Sequence, residues 1–260
     1  MVNLSIILPT YNEAKNIIPL IEEIRKNLED KPFSYEIIVA DDDSSDKTWK
    51  IVEKYASSNT PSVISSEARN LAKRSIHILR RLSDHGLARS ILDGIVTSQG
   101  ENILVMDSDF NHDPKMIWQM YKLLDFYDLV VGSRFVPGGG MEDKTRNKFS
   151  FLFNLFIRIL LGTHIQDNLS GYFVIKKETL IPFATKEMFN GYGEYFIRLL
   201  FRARKKGYSI IEIPVFYKLR PHGSSKSNFL KMVKEYTKTA VAELISEVKR
   251  TGSIRSILNR

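Results

Sequence analysis

The sequence contains no cysteine among its 260 residues. Disulfide bonds, thiolate metal sites and cysteine nucleophiles are therefore excluded, so a bound metal ion must be held by oxygen or imidazole ligands. The lack of cysteine also suits a protein that works in the cytosol. The chain has no basic segment followed by a long apolar stretch at its start, so we expect no secretory signal.

Long apolar runs are absent as well. A helix that crosses a bilayer needs about 18 or more consecutive apolar residues, and the nearest stretch, residues 149–161, is interrupted by Asn154 and Arg158. We therefore expect no membrane span. The same stretch is rich in phenylalanine, and it is either plain core or an interfacial helix that lies on a membrane surface.

Glycine-rich phosphate loops are also missing. The turn after the first apolar segment reads PTYNE, which lacks the GxGxxG pattern of a dinucleotide site, and no P-loop occurs anywhere in the chain. A phosphate group must therefore be held by a metal ion together with basic side chains.

Acidic residues are outnumbered by basic ones, 30 against 38, which gives a net charge of +8. Such an excess attracts an anionic partner, which can be nucleic acid, an acidic membrane surface or a phosphorylated small molecule. Basic residues cluster just before residues 149–161 and along the last predicted helix, where they favour peripheral, reversible membrane attachment. They are Lys144, Arg146, Lys148, Lys231, Lys234, Lys238, Lys249 and Arg250.

Short apolar segments alternate with helical periodicity over the first 135 residues. This order predicts an α/β fold with a doubly wound, mostly parallel sheet, whose ligands bind beyond the carboxyl ends of the strands. The predicted strands are residues 4–8, 35–40, 76–79, 103–106 and 129–132, with a later strand at 210–217. The predicted helices include residues 13–28, 44–55, 86–96, 114–124, 193–206 and 229–249.

We expect one catalytic domain over residues 1–227. An amphipathic helix and tail are expected over residues 228–260 as a C-terminal appendage. Residues 61–74 are predicted to be a surface insertion, because the link between the second helix and the third strand exceeds the usual βα connection of about 2 to 6 residues.

The most informative polar cluster follows the strand at residues 103–106. Asp107 and Asp109 flank Ser108, and side chains two apart on a strand point the same way unless the chain turns between them. Such a pair can hold a divalent metal. The alternative is a polar loop that caps the next helix, which begins at Pro114. His112 is expected to pack or to cap rather than to bind metal.

Simpler explanations also exist for the other polar residues. Asp41 and Asp42 can be N-caps of the following helix. Arg134 can pair with a surface carboxylate, and Arg220 and Lys226 can belong to a solvated basic loop.

Six motifs occur together in the order of one known family. The chain resembles the inverting nucleotide-sugar glycosyltransferases of family 2, and within them the polyprenyl-phosphate (dolichol-phosphate) mannosyltransferase branch. Each motif is weak alone, but together they span nearly the whole chain. They are LPTYNE at residues 8–13, VADDDSSDKT at 39–48, MDSDFNHDP at 106–114, VGSRF at 131–135, LSGYFVIKK at 169–177 and RPHGSSKSN at 220–228.

The resemblance implies a GT-A type nucleotide-sugar transferase fold, with Mg²⁺ or Mn²⁺ held on the donor diphosphate by Asp107, Asp109 and Asn111. It implies catalytic roles for Asp109 and for Arg134, which meets a donor or acceptor phosphate. An acceptor that is a phosphate monoester is already anionic, so no dedicated general base is required. The further substrate-binding residues that it implies are Pro9, Tyr11, Glu13, Val39, Asp41 and Asp42 on the nucleotide side, Ser108 beside the metal, and Arg220 and Lys226 closing over the diphosphate.

Two motifs depart from the family pattern. Asn111 stands where this branch usually has glutamine, so coordination through this shorter amide can need a water molecule. Asp43 and Lys47 replace the commoner glycines or asparagine of the second motif.

The expected function is transfer of a hexosyl group, mannose from GDP-mannose, to a polyprenyl phosphate with inversion at the anomeric carbon. The protein is expected to be cytoplasmic and peripheral on the inner face of a membrane, with no nucleic-acid partner. One alternative is a UDP-sugar transferase that acts on a polyprenyl phosphate or a glycan. Another is a non-catalytic basic module that binds membranes or nucleic acid, which the presence of Asp107 and Asp109 together with Arg134 disfavours.

Overall fold

The computed structural model of the protein describes residues 2–58, 74–223 and 229–252. Lys226 lies outside these ranges, as does the predicted insertion at residues 61–74 apart from Arg74, which begins a strand.

The strands are β1 (Val2–Thr10), β2 (Tyr35–Asp41), β3 (Arg74–Arg80), β4 (Gly100–Val105), β5 (Leu129–Ser133), β6 (Gly140–Met141), β7 (Phe173–Lys176), β8 (Ile210–Pro214) and β9 (Phe216–Tyr217). The helices are α1 (Ile17–Leu28), α2 (Thr48–Ser58), α3 (Leu87–Thr97), α4 (Ile117–Leu123), α5 (Lys144–Leu161), α6 (Lys177–Leu180), α7 (Glu194–Lys205) and α8 (Phe229–Thr251). Short 3₁₀ turns occupy Pro114–Met116 and Ile181–Phe183.

Within the described ranges, seven strands form the main sheet in the order β3-β2-β1-β4-β7-β5-β8. All neighbours are parallel except β7, which runs antiparallel to both β4 and β5. The prediction of a mostly parallel α/β sheet is therefore confirmed.

The sheet is buried on both faces, which explains why its strands read as continuous apolar runs. On β1, Ile6 packs into the core that includes α1 and α4, while Ile7 packs into the core that includes α3 and α7. This alternation follows from the two-residue period of a strand. Because helices cover both faces, the edge at the carboxyl ends of the strands is left for a ligand.

Several predicted boundaries were wrong in detail; for example, the helices predicted from residues 13 and 44 begin at Ile17 and Thr48. The strand at residues 103–106 ends at Val105, and the helix at 114–124 begins with a 3₁₀ turn that Asp113 caps by accepting a hydrogen bond from the Lys115 N–H at 3.0 Å. The strand at 210–217 is split. Its partner β5 ends at Ser133, so β8 ends at Pro214 and the next residues pair with β6 as β9.

The C-terminal helix α8 packs on the body of the domain. Tyr236 and Ala240 share a buried apolar cluster with Ile157 of α5 and Phe201 of α7. Arg202 of α7 donates two hydrogen bonds, of 2.8 and 2.7 Å, to the buried carboxylate of Glu243. The segment expected to be an appendage thus shares a core with α5 and α7. Among the helices of the described residues, none combines the length and apolarity needed to cross a membrane.

We expect Ala240→Glu to undock α8. Ala240 is fully buried, so the variant places an unpaired charge in an apolar contact and lowers the free energy of unfolding by about 3 kcal/mol. The control Val241→Glu adds the same charge at a side chain that is already 37% exposed, and it should change stability by less than about 0.5 kcal/mol. Urea denaturation compares the two, and equal stabilities would contradict the packing of α8.

Candidate active site

One cavity of about 500 Å³ opens at the carboxyl ends of the central strands. It gathers ten of the residues implied by the family resemblance, which come from five separate segments of the chain. Those that line it are Pro9, Tyr11, Glu13, Asp42, Asp107, Ser108, Asp109, Asn111, Arg134 and Arg220. Val39 and Asp41 lie behind this wall, and Lys226 lies outside the described residues.

The aspartate pair reaches the cavity through a bend, and strand alternation is not the reason. Strand β4 has ended at Val105, and Phe110 adopts a left-handed backbone with φ of 66°. That conformation is uncommon for a bulky residue and is a form of local strain often found at functional sites. The Ser108 hydroxyl donates to the Pro9 carbonyl oxygen at 2.8 Å, which ties the bend to the end of β1. Asp107 and Asp109 therefore both face the cavity.

The two carboxylates are strained electrostatically. Burial raises the pKa of Asp107 to about 6, although Arg220 opposes the shift. The Asp107 side chain is 42% exposed where it lines the cavity. Burial first, and then the charge of Asp107, raise the pKa of Asp109 above its usual range. A cation placed between them relieves this cost.

Two neighbouring side chains, Arg220 and Asn111, contact the Asp109 carboxylate. An Arg220 guanidinium nitrogen lies 2.7 Å from Oδ2 of Asp109, and the Asn111 side-chain amide donates to the same oxygen at 2.9 Å. The Asn111 backbone N–H donates to Oδ1 at 3.1 Å. Arg220 thus places a positive charge beside the Asp109 carboxylate. Asn111 contacts the same carboxylate from within the acidic turn, residues 107–111.

The residues present fit a Mg²⁺ or Mn²⁺ ion that is shared with a substrate. Carboxylate and amide oxygens are suitable ligands for these hard cations. Among the described residues, no group of three or more His, Cys, Asp and Glu side chains is placed to hold a metal. Mg²⁺ is commonly held by one or two carboxylates plus substrate phosphates, so Asp107 and Asp109 suffice for that kind of site.

The end of β2 has a different role from the one predicted for it. Val39 is fully buried in the apolar core. Asp41 is also fully buried, and its carboxylate accepts hydrogen bonds from the Thr10 hydroxyl at 2.8 Å and from the Ser44 hydroxyl at 2.6 Å. These bonds join the turn after β1 to the turn after β2. In this structure the two residues support the cavity wall and do not line it.

Asp42 does line the cavity, and its contacts hold the start of α3. Its carboxylate forms a hydrogen-bonded ion pair with Arg81 and accepts from the Gly86 N–H at 2.7 Å and the Ser90 hydroxyl at 2.9 Å. Arg81 is buried and also donates to Asp93 at 2.7 Å. Sequence reasoning missed Arg81, because its partner lies in a distant turn.

Asp43 and Lys47 occupy left-handed backbone, with φ of 52° and 61°. Glycine and asparagine adopt this region most readily, which accounts for the expectation that such residues are commoner there. Asp43 is held in part by Arg80, whose Nε donates to its carboxylate at 2.7 Å and whose guanidinium lies 3.8 Å from the centroid of the Trp49 ring.

Arg134 is held in place by a buried carboxylate that the sequence analysis did not identify. Its Nε and one terminal nitrogen each donate to Asp167 at 2.7 Å, and its guanidinium lies 4.7 Å from the centroid of the Tyr217 ring. Burial opposes the charged form of Arg134, but the charge and hydrogen bonds of Asp167 raise its pKa above the ordinary value. Arg134 therefore forms an ion pair, but with a buried carboxylate and not with a surface one, at a site that still borders the cavity.

Asn154 explains how Asp167 is positioned. This asparagine interrupts the apolar stretch of α5, and its side-chain oxygen accepts from the Asn168 N–H at 2.7 Å. Its amide also donates to Asp167 at 3.5 Å. A lone asparagine in an apolar helix was the available sequence signal for this contact.

The far side of the cavity is aromatic. Tyr192, Tyr236 and Met232 line it, so the C-terminal helix forms part of the wall. The Tyr236 ring lies 6.4 Å from Phe153 of α5, which stacks on Phe156 at 5.8 Å. Phe156 is exposed, so aromatic contacts connect the cavity wall to the protein surface. Arg146, considered above only as a membrane charge, also lines the cavity.

The mostly parallel sheet, with a carboxylate pair and arginines at its carboxyl edge, agrees with the GT-A type fold that the family resemblance implies. Residues 5–181 match the family Glycosyl transferase family 2. The chain therefore belongs to glycosyl transferase family 2 and is a glycosyltransferase.

Two curated relatives carry more specific names. The chain is 30% identical over 232 residues to a dolichol-phosphate mannosyltransferase of Pyrococcus furiosus, a match that covers 85% of this chain and 58% of that protein. It is 29% identical over 228 residues to an undecaprenyl-phosphate mannosyltransferase of Micrococcus luteus, which covers 85% of each. The chain thus spans less than two thirds of the length of the Pyrococcus protein.

Solved structures agree on the fold. Glucosyl-3-phosphoglycerate synthase of Mycobacterium tuberculosis, solved with Mn²⁺, uridine diphosphate and phosphoglyceric acid, matches with a TM-score of 0.64 at 19% identity, covering 93% of this chain and 78% of that one. Mannosyl-3-phosphoglycerate synthase of Rubrobacter xylanophilus matches with a TM-score of 0.62 at 18% identity, covering 96% and 75%. At these identities the likeness establishes the architecture alone.

We expect Asp167→Asn to destabilise the protein strongly. Arg134 and Asp167 are both buried, and removing one charge of a buried pair typically costs about 3 to 5 kcal/mol. The control Asp125→Asn makes the same change in an exposed pair with Lys122 and should cost less than about 1 kcal/mol. Urea denaturation measures both. A loss at Asp167 no larger than that at Asp125 would show that Arg134 does not depend on this partner.

Proposed function

We propose that this protein transfers a mannosyl group from GDP-mannose to a polyprenyl phosphate, with inversion at the anomeric carbon. The names of the curated relatives support the mannosyl group and the polyprenyl phosphate. The observation that carries the proposal is the pairing of the acidic turn with arginines in one cavity: Asp107 and Asp109 face the same space as Arg134, Arg146 and Arg220.

The acidic and basic groups have complementary roles in this reaction. Asp107 and Asp109, with Asn111, would hold Mg²⁺ or Mn²⁺, which when bound stabilises negative charge on the departing nucleoside diphosphate. Arg220 and Arg146 supply fixed positive charge from the chain itself. Arg220 exchanges its contact with Asp109 for the diphosphate.

The nucleotide side is assigned to the turn after β1. Tyr11 is half exposed at the cavity, while the Glu13 carboxylate accepts a hydrogen bond from the Asn16 side-chain amide at 2.7 Å. An exposed aromatic ring beside a positioned carboxylate suits a nucleoside. The base can stack on the ring, and the ribose hydroxyls or the base N–H groups can donate hydrogen bonds to the carboxylate.

The acceptor needs little activation. A phosphate monoester is anionic at neutral pH, so its oxygen attacks the anomeric carbon on the face opposite the departing GDP without a strong base. Arg134 is pre-positioned by Asp167 through Nε and one terminal nitrogen, which leaves the other terminal nitrogen outside that pair. We assign this remaining group to a substrate phosphate.

The lipid part of the acceptor favours a membrane surface. Helix α5 exposes a continuous apolar face, because its exposed apolar residues recur at intervals of three and four. They are Phe149, Leu152, Phe156 and Ile159, with Phe151 and Leu155 beside them. Lys144 and Lys148 at its start are also exposed. We propose that α5 lies in the interface of the inner, cytoplasmic leaflet and leads the lipid towards the aromatic side of the cavity.

We expect Asp109→Asn to lower sugar transfer by about 100-fold or more, because one of two carboxylates on the metal is lost. The melting temperature should change little, since the substitution also removes repulsion with Asp107. Asp125→Asn, the same chemical change on an exposed helix end, is the control and should retain full activity.

The assay uses a short polyprenyl phosphate with GDP-mannose, UDP-glucose or UDP-N-acetylglucosamine, and product mass reports which sugar is moved. Full activity of Asp109→Asn would contradict the metal site. A product from a UDP-sugar alone would replace GDP-mannose as the donor.

We expect Ile159→Glu to weaken binding to anionic vesicles by about tenfold or more, because burying an isoleucine contributes about 1.5 to 3 kcal/mol and 1.4 kcal/mol is tenfold. Val96→Glu on α3 is a matched control, since Val96 and Ile159 are both 69% exposed. Co-sedimentation at low salt measures the bound fraction. Equal binding by the two variants would remove α5 from the interface.

A further inference from the structure

His112 lies directly behind the acidic pair and is fully buried. Its ring stacks on Tyr172, with centroids 4.7 Å apart and planes 7° apart, and meets Tyr217 edge-on at 4.8 Å. Gly132 on β5 leaves room for this arrangement, because a Cβ there would lie 2.9 Å from the Tyr172 ring. The two tyrosines therefore fix the plane of the imidazole.

One hydrogen bond also fixes the tautomer. The Asp107 backbone N–H donates to Nδ1 of His112 at 2.9 Å. A nitrogen that accepts a hydrogen bond carries no proton, so the proton of the ring is on Nε2. An imidazolium ion, with both nitrogens protonated, is incompatible with this contact.

The Nε2 atom is buried and, in the part of the chain described, makes no hydrogen bond. Two acceptors are near it. Oδ2 of Asp107 lies 3.7 Å away, just beyond bonding distance, and the Ser170 carbonyl oxygen, which accepts from the Tyr217 hydroxyl at 2.8 Å, is the competing acceptor. A buried donor without a partner is unfavourable, so a ligand-bound state that closes the gap to Asp107 is favoured by the new hydrogen bond.

We propose that His112 is a positioning residue, whose Nε2–H donates to Oδ2 of Asp107 when the donor complex is bound and thereby fixes the orientation of that carboxylate. The proposal rests on the proposed function, in which Asp107 holds the metal. In this state the imidazole makes two hydrogen bonds to Asp107: Nδ1 accepts from its backbone N–H, and Nε2–H donates to its carboxylate. A neutral donor orients the carboxylate and leaves its charge for the cation, which an imidazolium would oppose.

The direct test follows the Nε2–H by long-range ¹H–¹⁵N NMR of the full chain with ¹⁵N-labelled histidine. We expect the Nε2-protonated tautomer in the free protein, and a downfield shift of this proton with Mg²⁺ plus GDP but not with GDP plus EDTA. UDP is run in parallel. An unchanged proton at saturating Mg²⁺ and nucleotide would assign it to the Ser170 carbonyl and overturn the proposal.

Mn²⁺ affinity in the presence of GDP or UDP separates failure of this proposal from failure of the proposed function. If the wild type takes up Mn²⁺ while the proton stays unchanged, only the role of His112 is overturned. If the wild type takes up no Mn²⁺ with either nucleotide, the metal assignment of Asp107 fails and the role of His112 fails with it.

Two variants divide the functions of the ring. His112→Asn keeps an acceptor near the Nδ1 position and lacks the distal donor, whereas His112→Gln brings an amide N–H near the Nε2 position. We expect His112→Asn to weaken Mn²⁺ binding by about 10- to 100-fold, the usual effect of losing a group that orients a metal ligand, and His112→Gln to restore most of it. Equal effects of the two variants, or none, would overturn the proposal. If thermal melting shows that neither variant is folded, the NMR result on the wild type decides whether the proposal stands.

Discussion

The carboxylates of Asp107 and Asp109 line the same cavity. The rest of the sheet edge must stabilise their negative charge. Burial disfavours their charge, and the charge of Asp107 disfavours that of Asp109. Such a pair persists only if its surroundings hold it firmly and offer a positive partner. The tie from Ser108 to β1 supplies the firm hold, and Arg220 supplies the partner. A positive charge beside this pair is therefore favoured, and the long side chain of Arg220 provides one.

The arginines in and around the cavity differ in the partners that hold them. Arg134 is bound to Asp167, and Arg81 is bound to Asp42, both in buried pairs. Groups fixed in this way need no reorganisation when charge develops nearby, which is the basis of electrostatic preorganisation. Arg220 instead pairs with the acidic turn itself, so its position depends on what else the turn binds.

The sequence predicted the architecture well because strand and helix periodicities are local, and the polar clusters after β1, β2 and β4 lay at one edge as expected. The partner of Arg134 was not predictable in the same way, since Asp167 is brought there by the chain between β5 and β7. Val39 shows another limit. It lies within a family motif, but the motif alone does not show that its side chain faces the core and not the cavity. The bend at Phe110 was also hidden, because only the three-dimensional turn reveals a left-handed residue.

Helix α8 has a consequence for the order of events during synthesis. The acidic turn and its supporting sheet strands β1 and β4 are translated long before Tyr236 and Met232, which complete the aromatic wall. Domains fold as they emerge, with the N-terminal parts first. A nascent chain that has exposed only the strands up to β5 therefore has Asp107 and Asp109, but it lacks the arginines that follow β5 and the aromatic side of the cavity. The aromatic side of the cavity is therefore completed only after α8 has been translated and has docked on α5 and α7.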